Sequence, residues 1–174
     1  MTRIEVLAPG MLSTVQDWPG RVGYWHIGVP PSGPMDDLSF RIGNRVLQNA
    51  EGAAGLECTR GGPTLRFPDG ARVCVTGAPV PVTLDGNPAP QWQSITVPPG
   101  GVLEVGVLSG PGMRCYVLIA GGLTEPEYLG STSTFTMGAF GGHDGRKLLA
   151  GLGPQVTERR EVEAVGDPPG LHLA

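Results

Sequence analysis

The stretch GVLEVGVLSGPGMRCYVLIAGG, residues 101–122, holds two apolar segments separated by a turn rich in glycine. In the first segment, every second residue from Leu103 to Val107 is a branched apolar residue, and this period of two is typical of a half-buried strand. The second segment, RCYVLIA, is largely apolar on both faces, which indicates a strand inside a sheet. The stretch therefore predicts two strands, the second of them central.

Segments of the same kind recur through most of the chain, separated by Gly, Pro or Asp-Gly turns. They are RIEVLA at 3–8, GYWHIGV at 23–29, AGLECT at 54–59, ARVCVTG at 71–77, VPVTL at 80–84 and WQSITV at 92–97. The dipeptide Asp85-Gly86, directly after VPVTL, is a hairpin signal. Many short strands with frequent turns predict a barrel or a sandwich, and we expect an all-β fold.

Residues 36–48, DDLSFRIGNRVLQ, differ from these segments and predict the only substantial helix. Apolar residues follow one another there at spacings of three and four. They are Met35, Leu38, Ile42 and Val46. A glycine inside a helix costs about 1 kcal/mol relative to alanine. Gly43 therefore indicates either a helix pressed closely onto another backbone or simply a tolerated glycine.

The composition indicates one folded domain. With 174 residues, of which 40% are hydrophobic, the chain can bury a core without help from a metal or a disulfide. Glycine and proline are frequent, at 29 and 18 residues, but the apolar content argues against disorder. The net charge of −4 is spread without long runs, so the sequence offers no basic stripe for nucleic acid and no polybasic patch for a membrane.

The three cysteines, Cys58, Cys74 and Cys115, lie far apart inside apolar runs. This pattern favours reduced thiols in a cytosolic core over a disulfide framework, gives a zinc site little support, and leads us to predict no metal. The N-terminus, MTRIEVLAPG, has no apolar run of signal-peptide length, and no stretch approaches the ~20 apolar residues that span a bilayer. We therefore expect a cytoplasmic protein.

Polar side chains gather in TVQDWPGRVGYWHIGVPPSGPMD, residues 14–36, which we predict to be a long loop, with a short strand at 23–29, that leads to the helix. They are Gln16, Asp17, Arg21, Ser32 and Asp36. Exposed N–H groups at a helix N-terminus suit an anion, although Ser32 or Asp36 could instead cap the helix. Arg21 could bind a carboxylate through two hydrogen bonds or form a structural ion pair with Asp17.

A second polar cluster is GSTSTFTMGAFGGHDGR, residues 130–146. Its hydroxyl groups are possible donors to a ligand, and its glycines would permit close approach of the backbone. The hydroxyl residues are Ser131, Thr132, Ser133 and Thr134, and the glycines are Gly141, Gly142 and Gly145. The segment matches neither a Walker P-loop nor a Rossmann fingerprint. His143 beside Asp144 suggests a general base, and a solvated histidine in a Ser/Gly loop is the alternative.

The segment at 14–36 resembles the signature Thr-Val-Gln-Asp-x-Gly-Arg-x-Gly ending in Gly-Val-x-x-Ser-Gly-x-Met-Asp. Further similarities are RIGNRVLQNAEGAAGLECTRGGPTLRF, VTGA at 75–78, IAGG at 119–122, GSTST at 130–134 and GGHDGR at 141–146. These motifs resemble the biotin-dependent carboxyltransferase, allophanate hydrolase subunit 2 or KipA-like family, which includes one of the subunits of bacterial 5-oxoprolinase. The resemblance covers only the N-terminal half of such proteins. It implies a β-barrel domain at 1–151 and a polar linker or tail at 152–174, toward a missing C-terminal half.

The resemblance implies a cyclophilin-like β-barrel with one short helix. It also implies an ATP-dependent amide-processing enzyme, first of all a 5-oxoprolinase that converts 5-oxoproline to glutamate with a KipI-like partner and a third subunit. The alternatives are a carboxyltransferase of the urea carboxylase pathway, which uses carboxybiotin, and a non-catalytic KipA-like regulator that binds a kinase inhibitor. We expect the chain alone to be inactive, with ATP or carboxybiotin present only in the full complex.

The resemblance also assigns roles to the two polar clusters. It implies that Gln16, Asp17 and Asp36 are catalytic, with Asp36 as proton acceptor or helix cap. The implied substrate-binding residues are Arg21, Ser32, Ser131, Ser133, Thr134 and His143. Arg21 would bind an anionic group, so Arg21→Ala and Ser32→Ala are expected to reduce turnover while the melting temperature hardly changes.

Overall fold

The computed structural model describes residues 2–157, which form two antiparallel sheets, one α-helix and one short 3₁₀ helix. The strands are β1 (Thr2–Ala8), β2 (Leu12–Gln16), β3 (Gly55–Thr59), β4 (Thr64–Phe67), β5 (Ala71–Gly77), β6 (Val82–Leu84), β7 (Asn87–Pro88), β8 (Ile95–Val97), β9 (Gly101–Val105), β10 (Arg114–Ile119), β11 (Leu123–Thr124) and β12 (Gly151–Val156). Helix α1 spans Asp37–Val46 and the 3₁₀ helix spans Trp25–Ile27. The predicted helix and the mostly β fold are confirmed.

The predicted closed barrel is wrong. One sheet has the order β11-β12-β1-β4-β9-β6-β7, the other has the order β2-β3-β10-β5-β8, and neither closes on itself within residues 2–157. The inner faces of both sheets contribute to a single apolar core, as in a sandwich. Three of the four end strands are short, since β7 and β11 have two residues each and β8 has three, whereas the fourth, β2, has five.

The two strands predicted from residues 101–122 are present. Strand β10 is the middle strand of its sheet, paired with β3 on one side and β5 on the other. In β9, Leu103 and Val105 are buried while Glu104 is exposed, as the alternation predicts. The alternation ends with the strand, and Val107 is exposed. The hairpin at Asp85-Gly86 joins β6 to β7, and both turn residues have positive φ, at 49° and 79°.

Helix α1 packs on the outer face of the second sheet, but with a different side from the one its apolar pattern indicates. Phe40 and Leu47 are fully buried there against β5 and β10, in a cluster that includes Leu118. Met35 and Leu38 are exposed instead. Val46, the last residue of the apolar pattern, does pack against this cluster, so hydrophobic spacing located the helix correctly and its packed face only in part.

Gly43 explains how closely the helix approaches the sheet. A Cβ atom built on Gly43 would lie 2.6 Å from Cδ2 of Leu118 and 3.1 Å from Cγ2 of Thr76. The glycine therefore admits two side chains of the sheet. The expectation of close contact was correct, but the neighbours are side chains and not another backbone.

The segment at 14–36 is not all loop. Gln16 is the last residue of β2, and the predicted short strand at 23–29 is absent, since Trp25–Ile27 is a 3₁₀ helix. Strand β2 pairs with β3 on one side. On its other side it accepts backbone hydrogen bonds from Thr134 to Val15 and from Leu148 to Ser13, so residues 134–148 cover its outer edge.

The last strand, β12, lies between β1 and β11. Residues 152–156 are therefore part of the β-domain, and the predicted boundary at 151 falls on the first residue of a strand. The rest of the predicted linker, from 158 to 174, lies outside the described residues. The three cysteines are unpaired and buried. No helix in the described part of the chain is long and apolar enough to cross a membrane.

Candidate functional site

The carboxylate of Asp17 joins the end of β2 to the second polar cluster. Its oxygens accept hydrogen bonds from Oγ of Ser131 at 2.5 Å, from Oγ of Ser133 at 2.5 Å and from the backbone N of Thr132 at 2.9 Å. Such charge-assisted bonds are among the strongest that side chains form. Both carboxylate oxygens of Asp17 therefore already accept hydrogen bonds from the protein's own residues, 131–133.

The guanidinium of Arg21 also bonds the loop that contains Ser131 and Ser133. Only 1% of Arg21 is exposed. Its Nε donates to the carbonyl of Tyr128 at 2.7 Å, and its Nη2 donates to the carbonyls of Ser133 at 2.9 Å and Ser131 at 3.3 Å. The ring centroid of Phe140 lies 4.8 Å from its Cζ. Burial lowers the pKa of Arg21, while the nearby Asp17 carboxylate raises it.

Gln16 and Thr134 complete this network. The Gln16 amide donates to Oγ1 of Thr14 at 3.1 Å and to the carbonyl of Thr134 at 3.3 Å, and its Oε1 accepts from the backbone N of Gly33 at 2.9 Å. The Thr134 hydroxyl donates to the carbonyl of Val15 at 2.8 Å. The structure thus brings the two predicted clusters together, but the groups that meet are buried and bonded to one another.

Asp36 bonds outside this network, whereas Ser32 lies between two residues that bond it, since Pro31 accepts from the backbone N of Arg21 and Gly33 donates to Gln16. Asp36 is the N-cap of α1: its Oδ1 accepts from the backbone N of Ser39 at 3.1 Å and its Oδ2 accepts from the Ser39 hydroxyl at 2.5 Å. The backbone N of Asp36 donates to Oη of Tyr116 at 2.7 Å. The predicted anion position at this helix N-terminus is therefore filled by the protein's own carboxylate. Ser32 is partly exposed, with a positive φ of 55°.

A cavity of about 880 Å³ lies beside the network. Its walls are the segments 124–128 and 141–146 together with Arg3 and Gln155. Its charged side chains are the guanidinium groups of two arginines and the carboxylates of three acids. They are Arg3, Arg146, Glu125, Glu127 and Asp144.

His143 lines this cavity and is paired with Glu125. Its Nδ1 lies 2.9 Å from Oε1 of Glu125, and the two side chains are 14% and 10% exposed. Asp144, the neighbour in sequence that suggested a general base, bonds Arg146 instead, at 3.0 Å. Glu125 is thus the functional candidate that the sequence did not reveal, since 18 residues separate it from His143 and no motif links them.

The buried network shapes one wall of the cavity. Arg21 fixes the carbonyl of Tyr128, and the backbone N of Gly142 donates to the carbonyl of Thr132 at 2.7 Å. A Cβ on Gly141 would strike the carbonyl of Ser133, and one on Gly142 would strike the Thr134 hydroxyl. Glycine is therefore needed at these two positions because other parts of the protein lie close to them. From the sequence we had expected the glycines to allow a ligand to approach the backbone.

Residues 27–166 match the family model described as "Carboxyltransferase domain, subdomain A and B". Over 167 residues the chain is 44% identical to urea amidolyase of Saccharomyces cerevisiae, a match that covers 94% of this chain and 9% of that protein. It is 36% identical over 148 residues to a 5-oxoprolinase subunit of Haemophilus influenzae, a match that covers 85% of this chain and 47% of that protein.

A solved structure has the same fold. The urea carboxylase of Kluyveromyces lactis superposes with a TM-score of 0.84 at 49% identity, over 87% of this chain and 14% of that protein. The chain thus spans about half the length of the 5-oxoprolinase subunit, with 47% covered, and 9% of the length of the urea amidolyase.

Proposed function

The chain belongs to the carboxyltransferase domain, subdomain A and B family, and from that premise we propose that it forms part of a site where a carboxyl group is transferred to a nitrogen of urea. The site is the cavity that holds His143 and Glu125. The Asp17–Arg21 network supports its wall. In this proposal the residues of the network position the loop and do not contact the substrate.

The identities favour urea carboxylation over lactam opening. The sequence resemblance put a 5-oxoprolinase first, yet the chain shares 44% identity with a urea amidolyase and 36% with a 5-oxoprolinase subunit. We therefore place the carboxyltransferase first. The ATP-dependent opening of 5-oxoproline is the second candidate, favoured by the larger share of the 5-oxoprolinase relative that the chain spans.

The chemistry of the cavity lining is the observation that carries the proposal. Urea offers N–H donors and one carbonyl acceptor, and Gln155 can satisfy either kind of group. The guanidinium groups of Arg3 and Arg146 suit a carboxylate, because arginine matches its two oxygens. The volume, about 880 Å³, accommodates a small amide beside a larger carboxyl donor.

The activated carboxyl group would come from carboxybiotin carried on another protein. The residues present fit this donor through two cations that line the cavity, Arg3 and Arg146, the second of which also bonds Asp144 at 3.0 Å. Residues of β1, β11 and β12 line the cavity, and in this proposal a second half or a KipI-like partner completes the site there. This is why we expect the chain alone to be inactive.

The test is an assembled complex of this chain with a KipI-like partner and the biotin-carboxylating components. We expect ATP-dependent incorporation of labelled bicarbonate into urea. Arg3→Ala and Arg146→Ala should each raise KM for the carboxyl donor about tenfold, equivalent to ~1.4 kcal/mol of binding. Arg45→Ala is the matched control, because Arg45 lies on α1 with 71% of its side chain exposed.

The other outcomes separate the alternatives. Release of glutamate from 5-oxoproline, without labelling of urea, would replace the proposal by the second candidate. A stable complex with the KipI-like partner that shows neither activity would favour a non-catalytic regulator.

A further inference from the structure

We propose that His143, oriented by Glu125, is the base that takes the N–H proton of the amide and returns it to the carboxyl donor. This inference rests on the proposed function and adds to it a residue with a defined role. It depends on the contact between Nδ1 of His143 and Oε1 of Glu125, 2.9 Å apart at the wall of the cavity.

The contact fixes the tautomer of the imidazole. A carboxylate can only accept, so Nδ1 of His143 must be the protonated nitrogen in the pair. In the neutral ring the lone pair then resides on Nε2, which is the nitrogen not bound to Glu125. A histidine whose other nitrogen is held by an acid is the usual arrangement of a general base.

The position of the pair agrees with this role. Both side chains are largely shielded, with 14% and 10% exposed, yet both line the cavity. The segment that carries His143 is anchored on both sides, since the backbone N of Gly142 donates to Thr132 and that of Arg146 to the carbonyl of His143. The backbone of the segment is thus held by these bonds, and the imidazole is oriented by Glu125.

Other polar groups near the cavity are less suited to accept a proton. Asp144 is 67% exposed and neutralised by Arg146, 3.0 Å away. Asp17 already accepts three hydrogen bonds from the loop. The arginines are donors only. Glu127 is the remaining carboxylate in the lining, and a substitution at this position tests whether it is the base instead.

The proposed step balances without another reactant. A bond forms between the amide nitrogen and the carboxyl carbon, and the bond from that carbon to a ureido nitrogen of the donor breaks, with its electron pair passing to that nitrogen. The amide N–H proton moves to Nε2 of His143. The same proton then moves from Nε2 to the ureido nitrogen, so the imidazole ends neutral and ready for another cycle.

The tautomer can be tested without any activity. We would measure the ring ¹⁵N shifts of the full chain at about pH 8.5, where an ordinary imidazole is neutral, and assign His143 by loss of its signals in His143→Gln. The expected result is the Nδ1–H form in the wild type and a shift toward Nε2–H in Glu125→Ala. An Nε2–H form in the wild type would overturn the inference.

The kinetic test uses the assembled carboxyltransferase. General-base catalysis contributes about 10²–10⁴ in rate, so His143→Ala should lower kcat at least about 100-fold. KM for urea should change by less than about threefold, because a base acts in the transition state. Added imidazole should restore part of the rate in His143→Ala, which a merely structural residue would not allow.

Two variants serve as controls. His26→Ala removes an exposed histidine on the 3₁₀ helix and should keep wild-type kcat. Glu127→Gln tests the competing carboxylate of the cavity: a loss of kcat equal to that of His143→Ala, with no rescue by imidazole in His143→Ala, would transfer the role to Glu127 and overturn the inference. If the wild type labels urea and His143→Ala does so equally fast, the inference is wrong and the proposed function stands. If the wild type does not label urea, both are wrong.

Discussion

Nη2 of Arg21 donates a hydrogen bond to the backbone carbonyl of Ser133 at 2.9 Å, across 112 residues of chain. Nε and Nη2 of Arg21 are thus engaged by backbone carbonyls, while its Nη1 is buried without a hydrogen-bond partner among the described residues. The sequence led us to expect that Arg21 binds an anionic group. From these contacts we propose instead that Arg21 supports the wall of the cavity.

The first prediction concerns stability. Arg21→Ala leaves the carbonyls of Tyr128 and Ser133 without the donor they have in Arg21, whereas the Ser131 carbonyl keeps its bond from the backbone N of Tyr128. Because each unsatisfied buried polar group costs about 1–3 kcal/mol, we expect the free energy of unfolding to fall by at least about 2 kcal/mol, measured by chemical denaturation. Arg45→Ala, on the exposed side of α1, should change it by less than about 0.5 kcal/mol. Equal stability of both variants would contradict the support role.

The second prediction concerns the packing of α1. Gly43→Ala should destabilise the protein by about 1–3 kcal/mol, because the new methyl group meets Cδ2 of the fully buried Leu118 at 2.6 Å. The gain of about 1 kcal/mol in helix propensity does not offset a clash that Leu118 cannot avoid. Thermal unfolding measures both effects together. Unchanged or increased stability would show that the helix can move away from the sheet.

Leu38→Ala is the companion to that variant. Leu38 belongs to the apolar stripe of α1, yet it is 62% exposed. We therefore expect less than about 0.5 kcal/mol change in the free energy of unfolding. A cost of several kcal/mol would indicate that the stripe packs against the protein, as its spacing suggested.

The third prediction is a pH dependence. Arg41 donates to Oε2 of Glu51 from Nε at 2.9 Å and from Nη2 at 2.6 Å, and this bonding lowers the pKa of Glu51. A carboxylate with a lowered folded-state pKa stabilises the protein above its unfolded pKa, ordinarily ~4.3, and loses this contribution as pH falls through the folded value. Glu51→Gln should therefore lower the melting temperature at neutral pH, and the difference from wild type should disappear in acid.

Glu104→Gln is the control for that pH series, because Glu104 is an exposed residue of β9. Its melting curve should stay close to that of the wild type at every pH. A difference for Glu51→Gln that persists undiminished in acid would exclude the Arg41 contact as its cause.

The fourth prediction concerns the thiols. Burial raises the pKa of Cys74 to about 11, and Cys58 and Cys115 are also fully buried. The thiolate is the reactive form. We expect no reaction of the native protein with an aromatic disulfide reagent at about pH 8 over the time in which the denatured chain reacts at all three cysteines. Rapid labelling of a native cysteine would mean that the core opens locally.

The alternation of apolar and polar residues, together with the residue types in the turns, was sufficient to predict much of the fold. Leu103 and Val105 in β9, and the turn at Asp85-Gly86, follow from local rules that tertiary contacts did not override. The packed face of α1 could not be obtained in this way. It is set by Gly43 and Phe40 fitting the surface of the second sheet, and that surface exists only after long-range pairing.

The candidate site was predictable only in part. The sequence singled out Asp17, Arg21 and Ser133, which do lie together, but it could not tell that burial turns them toward one another. It also placed His143 next to the wrong acid. Neighbours in sequence need not be partners in space, and Glu125 contacts His143 because segments 124–128 and 141–146 both line the cavity.

The pairing of β1 with β12 has a consequence for how this domain can be used. Thr2 lies opposite Val156 in the ladder, so the first and last strands of the described fold bring their outer ends together. A domain whose chain enters and leaves at one place can be inserted into a longer polypeptide without disturbing its core. The adjacent outer ends of β1 and β12 therefore meet the geometric requirement for circular permutation of the described fold.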